Sequence, residues 1–504
     1  MSTLKKIVLN TGSQVYMAAL AVLTIPLYLT LLGQTAYGLI AFFLQLQTII
    51  TVLDIGVSAT VSRNTTLYMA GKESRKDYLA SLNSVEVIFC SIAALLLLSG
   101  ISGSSWIMNS WLDIESVDPQ VAIQAIVLMV IIVALRWLQT FYRAILFGAE
   151  KIEWVSWFNI LFSTIRVVAV LPFLWFIQGG IVAYFLFQLF ANLLELVFLF
   201  FKVARHVDYL PGERFQGIGF NTVGIALRSS AAIGATAFIW AVLTQADKFF
   251  VLGVSSLSEF AAYSIVVTAA SVLVLLSAPL IYAIGPRMAR LLAEQQQDSA
   301  IQLFRTGSLF VSLVLGACCT VGVLWSQELL WAWTGDPAIS AQAGQFAPLY
   351  LFGSLFFALN YLSYSICFAT GDFDARMKLS AVALVIYLPV LYVAGEWFSA
   401  DGIIYSWLTL NILFFIVAQP HLYSKFGKRF FIKSVFADIL WPITCCFVVF
   451  VMWFFIDVSG FSRIQIILFV TGMFFCSLLF GVFFSNARGI VYRFACDVFK
   501  PVKN

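Results

Sequence analysis

Residues 120–147 read QVAIQAIVLMVIIVALRWLQTFYRAILF, an almost unbroken apolar run whose only charges are Arg136 and Arg143. A lipid-spanning strand would be a segment of about ten residues with alternating polarity, which this is not. About 20 continuous apolar residues carry a helix across a hydrocarbon layer roughly 30 Å thick, with every backbone group paired inside the segment. The stretch therefore predicts a transmembrane helix, with Arg136 within a few residues of the bilayer midplane. An arginine there costs about 2.5–3.5 kcal/mol on insertion scales unless water or a counter-charge meets it.

The rest of the chain has the same character. Of its 504 residues 62% are hydrophobic and 11% charged, where soluble domains carry about a quarter charged. That composition excludes soluble enzymes, disordered regulators, collagens and nucleic-acid binders with a basic face. The expected fold class is all-α and polytopic, with about 14 transmembrane helices. The windows run over 8–32, 36–59, 81–103, 120–147, 154–177, 180–202, 228–252, 260–285, 303–326, 346–369, 379–396, 402–423, 435–457 and 463–485. Short connections leave no room for a separate soluble domain. Lys5 and Lys6 precede the first apolar run, but Asn10, Thr11, Ser13 and Gln14 interrupt it, so an uncleaved first span is expected rather than a signal peptide. Seven of the eight cysteines lie inside apolar runs, and His206 and His421 have no ligand cluster. No disulfide, metal site or cofactor is implied.

Orientation follows from the basic residues. With the N-terminus cytoplasmic, the inside segments hold 24 of the 29 Lys and Arg, and the outside loops hold only Arg463. This positive-inside bias predicts both termini in the cytoplasm.

An internal repeat refines the organisation. AVLTIPLYLTLLG at 21–33 is echoed by AVLTQADKFFVLG at 241–253. Tyr142, Ile145, Phe147 and Gly148 are echoed by Tyr364, Ile366, Phe368 and Gly371, and Leu171–Trp175 by Leu388–Tyr392. Three echoes in one order at nearly one offset predict a duplication of six helices. The expected domains are an N-lobe (1–205), a cytoplasmic linker (206–227), a C-lobe (228–424), and two further helices with a cytoplasmic tail (425–504). An even number of spans per repeat keeps both copies in the same orientation, so the pseudo-two-fold axis runs along the membrane normal. Two lobes of this kind suit alternating access.

Polar residues spaced i, i+4, i+7 mark helix faces turned from lipid. The faces are Gln47, Thr51, Asp54, Ser58; Asn159, Ser163, Arg166; Tyr184, Gln188, Asn192, Glu195; and Thr236, Trp240, Thr244, Asp247, with Arg136, Gln139 and Arg143 on the fourth span. Two permanently charged, planar guanidiniums near the midplane, Arg136 and Arg166, suit a phosphate or diphosphate. Structural pairing with Glu195 or Asp54 is the competing reading. The candidate substrate contacts are Arg136, Arg166, Gln139, Asn159, Gln188 and Asn192. Asp247, Glu195 and Asp54 are the carboxylates available for ion coupling, although Asp247 equally suits a local pair with Lys248. Arg143, near the expected cytoplasmic end, is read as snorkelling.

Leu32-Gly33, Tyr37-Gly38, Leu53-Asp54-Ile55-Gly56, Arg63 and Gly71 resemble the opening of Wzx-type polysaccharide flippases of the multidrug/oligosaccharidyl-lipid/polysaccharide exporter superfamily. Phe147-Gly148 into Glu150-Lys151, and Asp247 through Gly253 to Tyr263-Ser264, are similar to the corresponding regions of that family. The resemblance implies translocation of an undecaprenyl-diphosphate-linked oligosaccharide (O-antigen or exopolysaccharide) across the bacterial inner membrane, from the cytoplasmic to the periplasmic leaflet, with ion coupling. It also implies membrane lipids, a polysaccharide polymerase and a chain-length regulator as partners. A cation-coupled multidrug exporter and a membrane polysaccharide polymerase or ligase are the alternatives. The first wants an acidic cavity, whereas the midplane charges here are basic. The second wants sizeable periplasmic loops with a catalytic constellation, and the longest outside loops, near 104–119 and 327–345, contain no Lys, Arg or His.

Overall fold

The structure, a computed structural model, describes residues 3–54, 56–110, 118–207, 220–426, 428–453, 456–458, 460–485 and 489. Most of the expected linker and tail, and the side chains of Thr51 and Thr236, lie outside the described residues.

The described chain is helical. In order, the helices are α1 (Thr3–Leu32), α2 (Gln34–Leu53), α3 (Val57–Met69), α4 (Arg75–Ser102), α5 (Ser104–Ser110), α6 (Pro119–Gly148), α7 (Ile152–Thr164), α8 (Val170–Ile177), α9 (Gly180–Val207) and α10 (Phe220–Val254). They continue with α11 (Leu257–Ala293), α12 (Gln297–Leu324), α13 (Ser326–Thr334), α14 (Pro337–Asn360), α15 (Leu362–Thr370), α16 (Asp374–Tyr423), α17 (Lys428–Ser434), α18 (Trp441–Cys446), α19 (Phe450–Trp453) and α20 (Arg463–Phe484). Eleven helical stretches among the described residues are long and apolar enough to cross a membrane. Here the backbone departs from the one-window-one-helix expectation. The second window divides at Gly56, whose φ of 74° ends α2 and starts α3. The windows 379–396 and 402–423 both lie in α16, which breaks at Ser399 with φ 52° and ψ −139°.

Local chemistry sets the helix starts. Asp118 and Asp336 each precede a proline at the first helical position, and their Oδ1 atoms accept from Gln120 N and Ala338 N, both at 2.8 Å. The proline lacks an N–H that would otherwise be orphaned, and the carboxylate serves one that remains.

Two compact units contain the chain, Met1–Ala261 and Ala262–Asn504. In the first, α6 packs against α2, α3, α4 and α9. Trp137 is its fully buried centre, stacked on Phe89 at 4.4 Å and donating from Nε1 to Phe89 O at 2.9 Å. Gly148 lets α3 and α6 touch: a Cβ there would lie 2.3 Å from Ser62 O. In the second unit α12 packs against α14, α18 and α20, and α14 against α16. A π-helical turn over Val435–Leu440 carries Asp438, which accepts Arg305 Nε at 2.6 Å and Nη2 at 3.0 Å. That bidentate pair ties the π turn to α12, against which α20 also packs.

Candidate functional site

The site belongs to the first unit and is built by α6, α9 and the α7–α8 segment. Between α7 and α8 the helix widens into a π-helical turn, Ile165–Ala169. A π turn breaks the regular i→i−4 ladder, so its carbonyls need other donors where water is absent. Gln188 Nε2 donates to Arg166 O at 2.8 Å, and Tyr28 Oη donates to Val167 O at 2.8 Å. The turn is thereby held from α9 and from α1, and it carries Arg166.

Glu195, wholly buried on α9, is the hub. Its Oε2 accepts from Arg166 Nη1, its Oε1 accepts from Arg143 Nη2, and Arg143 Nη1 donates to Asn159 Oδ1. A carboxylate sealed from water is tolerated when both oxygens are charge-paired in this way. Arg136, one and two turns from Gln139 and Arg143 on α6, is half-buried and within electrostatic reach of Arg166, Glu195 and Arg143. Among the described residues its guanidinium makes no hydrogen bond or ion pair. Two guanidiniums thus share one carboxylate with a third close by, and the cluster carries an excess of two positive charges.

Amides frame the charges. Gln139 Nε2 donates to Asn192 O at 3.0 Å, and Asn192 Nδ2 donates to Gln188 O at 2.7 Å. All six candidate substrate contacts, Arg136, Gln139, Asn159, Arg166, Gln188 and Asn192, therefore lie in or beside one cluster with Glu195. The other two carboxylates have different settings. Asp54 Oδ1 accepts from Ser58 N at 3.0 Å across the break between α2 and α3. Asp247, fully buried on α10, pairs with Lys248 Nζ at 3.0 Å, and the same Nζ donates to Thr244 O at 2.6 Å. Arg143 is the residue whose part the sequence reading missed. Its spacing of four from Gln139 and seven from Arg136 was the available signal, since that places all three on one face.

The second unit repeats the amide frame with a single arginine in place of the three-arginine, one-carboxylate cluster. Asn360 Nδ2 donates to Asn411 O at 3.2 Å, and Asn411 Nδ2 donates to Trp407 O at 2.8 Å. Both frames stand eleven residues before a left-handed residue, Glu150 at φ 56° and Gly371 at φ 72°. In that register Tyr364 replaces Arg143 and Phe414 replaces Glu195, and 379–395 contains no charge where the first unit has Arg166. The second unit's buried Arg376 bonds instead to Asn360 O at 3.2 Å and Ser363 Oγ at 2.6 Å.

Two family models match overlapping parts of the chain. A family model described as polysaccharide biosynthesis protein matches residues 3–292, and a MatE model matches 232–393. No curated protein sequence matches. Among solved structures, the lipid II flippase MurJ in an inward closed conformation is similar at a TM-score of 0.71 and 13% identity, covering 96% of this chain and 100% of that one. An inward-facing MATE family multidrug resistance transporter of the MOP superfamily gives 0.63 at 10% identity, covering 85% and 96%. A MOP superfamily transporter from Pyrococcus furiosus, titled for the reverse polarity of its binding pocket, gives 0.52 at 10% identity, covering 83% and 94%. These likenesses establish the polytopic fold.

Proposed function

The chain belongs to the polysaccharide biosynthesis protein family, and from that premise we propose that it flips a lipid-linked oligosaccharide across the bacterial inner membrane by alternating access. The substrate in this reading is an undecaprenyl-diphosphate-linked repeat unit of O-antigen or exopolysaccharide, moved from the cytoplasmic to the periplasmic leaflet. One observation carries it: the excess of two positive charges among Arg136, Arg143, Arg166 and Glu195, buried inside a membrane unit. A diphosphate diester brings two negative charges, the complement that would neutralise the cluster. Guanidinium forks suit phosphate oxygens, and charge-assisted bonds strengthen where water is excluded. The duplicated amide frame supports the assignment, because a frame present in both units answers a demand of the fold. The cluster of three arginines around a carboxylate, present in one unit, answers something else.

A cationic-drug exporter would want the opposite sign at this depth. We therefore rank that reading second, although the MatE match over 232–393 keeps it in the same superfamily. Ion coupling belongs to the proposal through the buried carboxylates, chiefly Asp247 and Glu195.

The test uses export in cells. Arg136→Ala removes the guanidinium that no bond among the described residues engages, so protein level should stay normal while polysaccharide export falls at least tenfold. Arg166→Ala should do likewise, with lower protein yield because it also strips Glu195 of a partner, a loss worth about 3–5 kcal/mol for a buried pair. Normal export in both variants would overturn the reading.

A further inference from the structure

Glu195 is the one anion inside the arginine cluster, and each of its oxygens is spent on a different guanidinium. A carboxylate so placed occupies the donor forks that a phosphate would use. We propose that Glu195 is a specificity gate: a resident counter-anion that makes the cluster select a diphosphate over a monophosphate. The inference rests on the flippase reading above and goes on to assign how the substrate is distinguished from the monophosphate lipids that make up the surrounding membrane.

The argument is one of competition. An entering phosphate finds Arg136 without a bonded partner, while Arg143 and Arg166 are held by Glu195 and Asn159. A monophosphate diester carries one charge. Bound at Arg136, or sharing Arg143 and Arg166 with Glu195, it leaves the cluster one charge short of neutrality, and displacing Glu195 outright would strand a buried carboxylate. A diphosphate diester brings a second charged phosphate. One phosphate engages Arg136 while the other shares Arg143 and Arg166 with Glu195, and the total charge closes to zero. The wholly buried carboxylate thus sets a threshold that one phosphate does not cross and two do. Glu195 acts through the arginines and is a positioning residue. Phe414 stands at the corresponding place in the second unit, where there is no arginine cluster to guard.

Binding of two matched probes to the detergent-purified full chain tests this. The probes are geranylgeranyl diphosphate-linked and geranylgeranyl monophosphate-linked N-acetylglucosamine. Wild-type protein should favour the diphosphate probe at least tenfold. Glu195→Gln should tighten the monophosphate probe about tenfold, so that the preference shrinks to within a few-fold, and Glu195→Asp should retain it. Because Glu195→Gln strips the cluster of its internal anion and can fail to fold, Arg143→Gln/Glu195→Gln serves beside it. The pair removes one charge of each sign and keeps the excess of two, yet should tighten the monophosphate probe as Glu195→Gln does, because Arg166 is no longer held. Monophosphate affinity unchanged in the double variant would overturn the gate while leaving the flippase reading standing, as would equal wild-type affinity for the two probes. Wild-type protein that binds neither probe would overturn the flippase reading, and the gate with it.

Discussion

At the scale of single residues, burial and partners separate side chains that look alike in the sequence. Asp54, Glu195 and Asp247 are all acidic residues in apolar runs. Glu195 is spent on two arginines, Asp247 on its neighbour Lys248, and Asp54 on the backbone N–H of Ser58. The last task needs only a carbonyl-type oxygen, which asparagine also has. Asp54→Asn should therefore leave flipping by reconstituted protein within about two-fold of wild type. Asp247→Asn removes the buried charge that could follow a proton or sodium gradient, and should abolish the dependence of flipping on that gradient. A flipping rate indifferent to both gradients in wild-type protein would remove the coupling role. The i, i+4, i+7 faces were legible because helical geometry puts Gln188, Asn192 and Glu195 on one side of α9. Of the two partners of Glu195, Arg166 was within that reading; Arg143 was not, because it lies 52 positions away on another helix and its nearness to a span end made solvation the simpler account.

At the scale of elements, the decisive departure from regularity is the π turn at Ile165–Ala169. It was not legible because Ile-Arg-Val-Val-Ala is as compatible with a regular apolar helix as with a π turn. It comes from packing: Gln188 and Tyr28 capture the carbonyls it frees. A π turn takes in about one residue more than an α turn, so deleting Val168 should restore an ordinary helix, withdraw the carbonyls that Gln188 and Tyr28 hold, and shift Arg166. The deletion variant should be inserted and helical by circular dichroism yet lose at least tenfold in polysaccharide export. Export at the wild-type level would show that the turn has no part in placing Arg166. The breaks at Gly56 and Ser399 are of a similar kind. Hydropathy windows locate apolar mass, and they do not see a single residue at positive φ.

At the scale of the whole molecule, composition was sufficient for the fold class. A chain with 11% charged residues has helices as its way of satisfying backbone groups in lipid other than a closed barrel, and the described residues are helical as that argument requires. The positive-inside count makes a further commitment. A cysteine at Ser110 should react with a membrane-impermeant thiol reagent added to intact cells, and one at Ser74 should react only after permeabilisation. Reversed labelling would invert the proposed direction of transport. The duplication was legible as weak echoes of apolar sequence, but its content was not, because the amide frames Gln139–Asn192 and Asn360–Asn411 use different residues, Gln139 on α6 and Asn360 on α14. The paired frames also make the charge cluster portable. The second unit already holds the mounting, so Tyr364→Arg with Phe414→Glu would place a guanidinium and a carboxylate at the stations that Arg143 and Glu195 occupy. One chain could then be engineered to present a second arginine–carboxylate pair of the kind that Arg143 and Glu195 form.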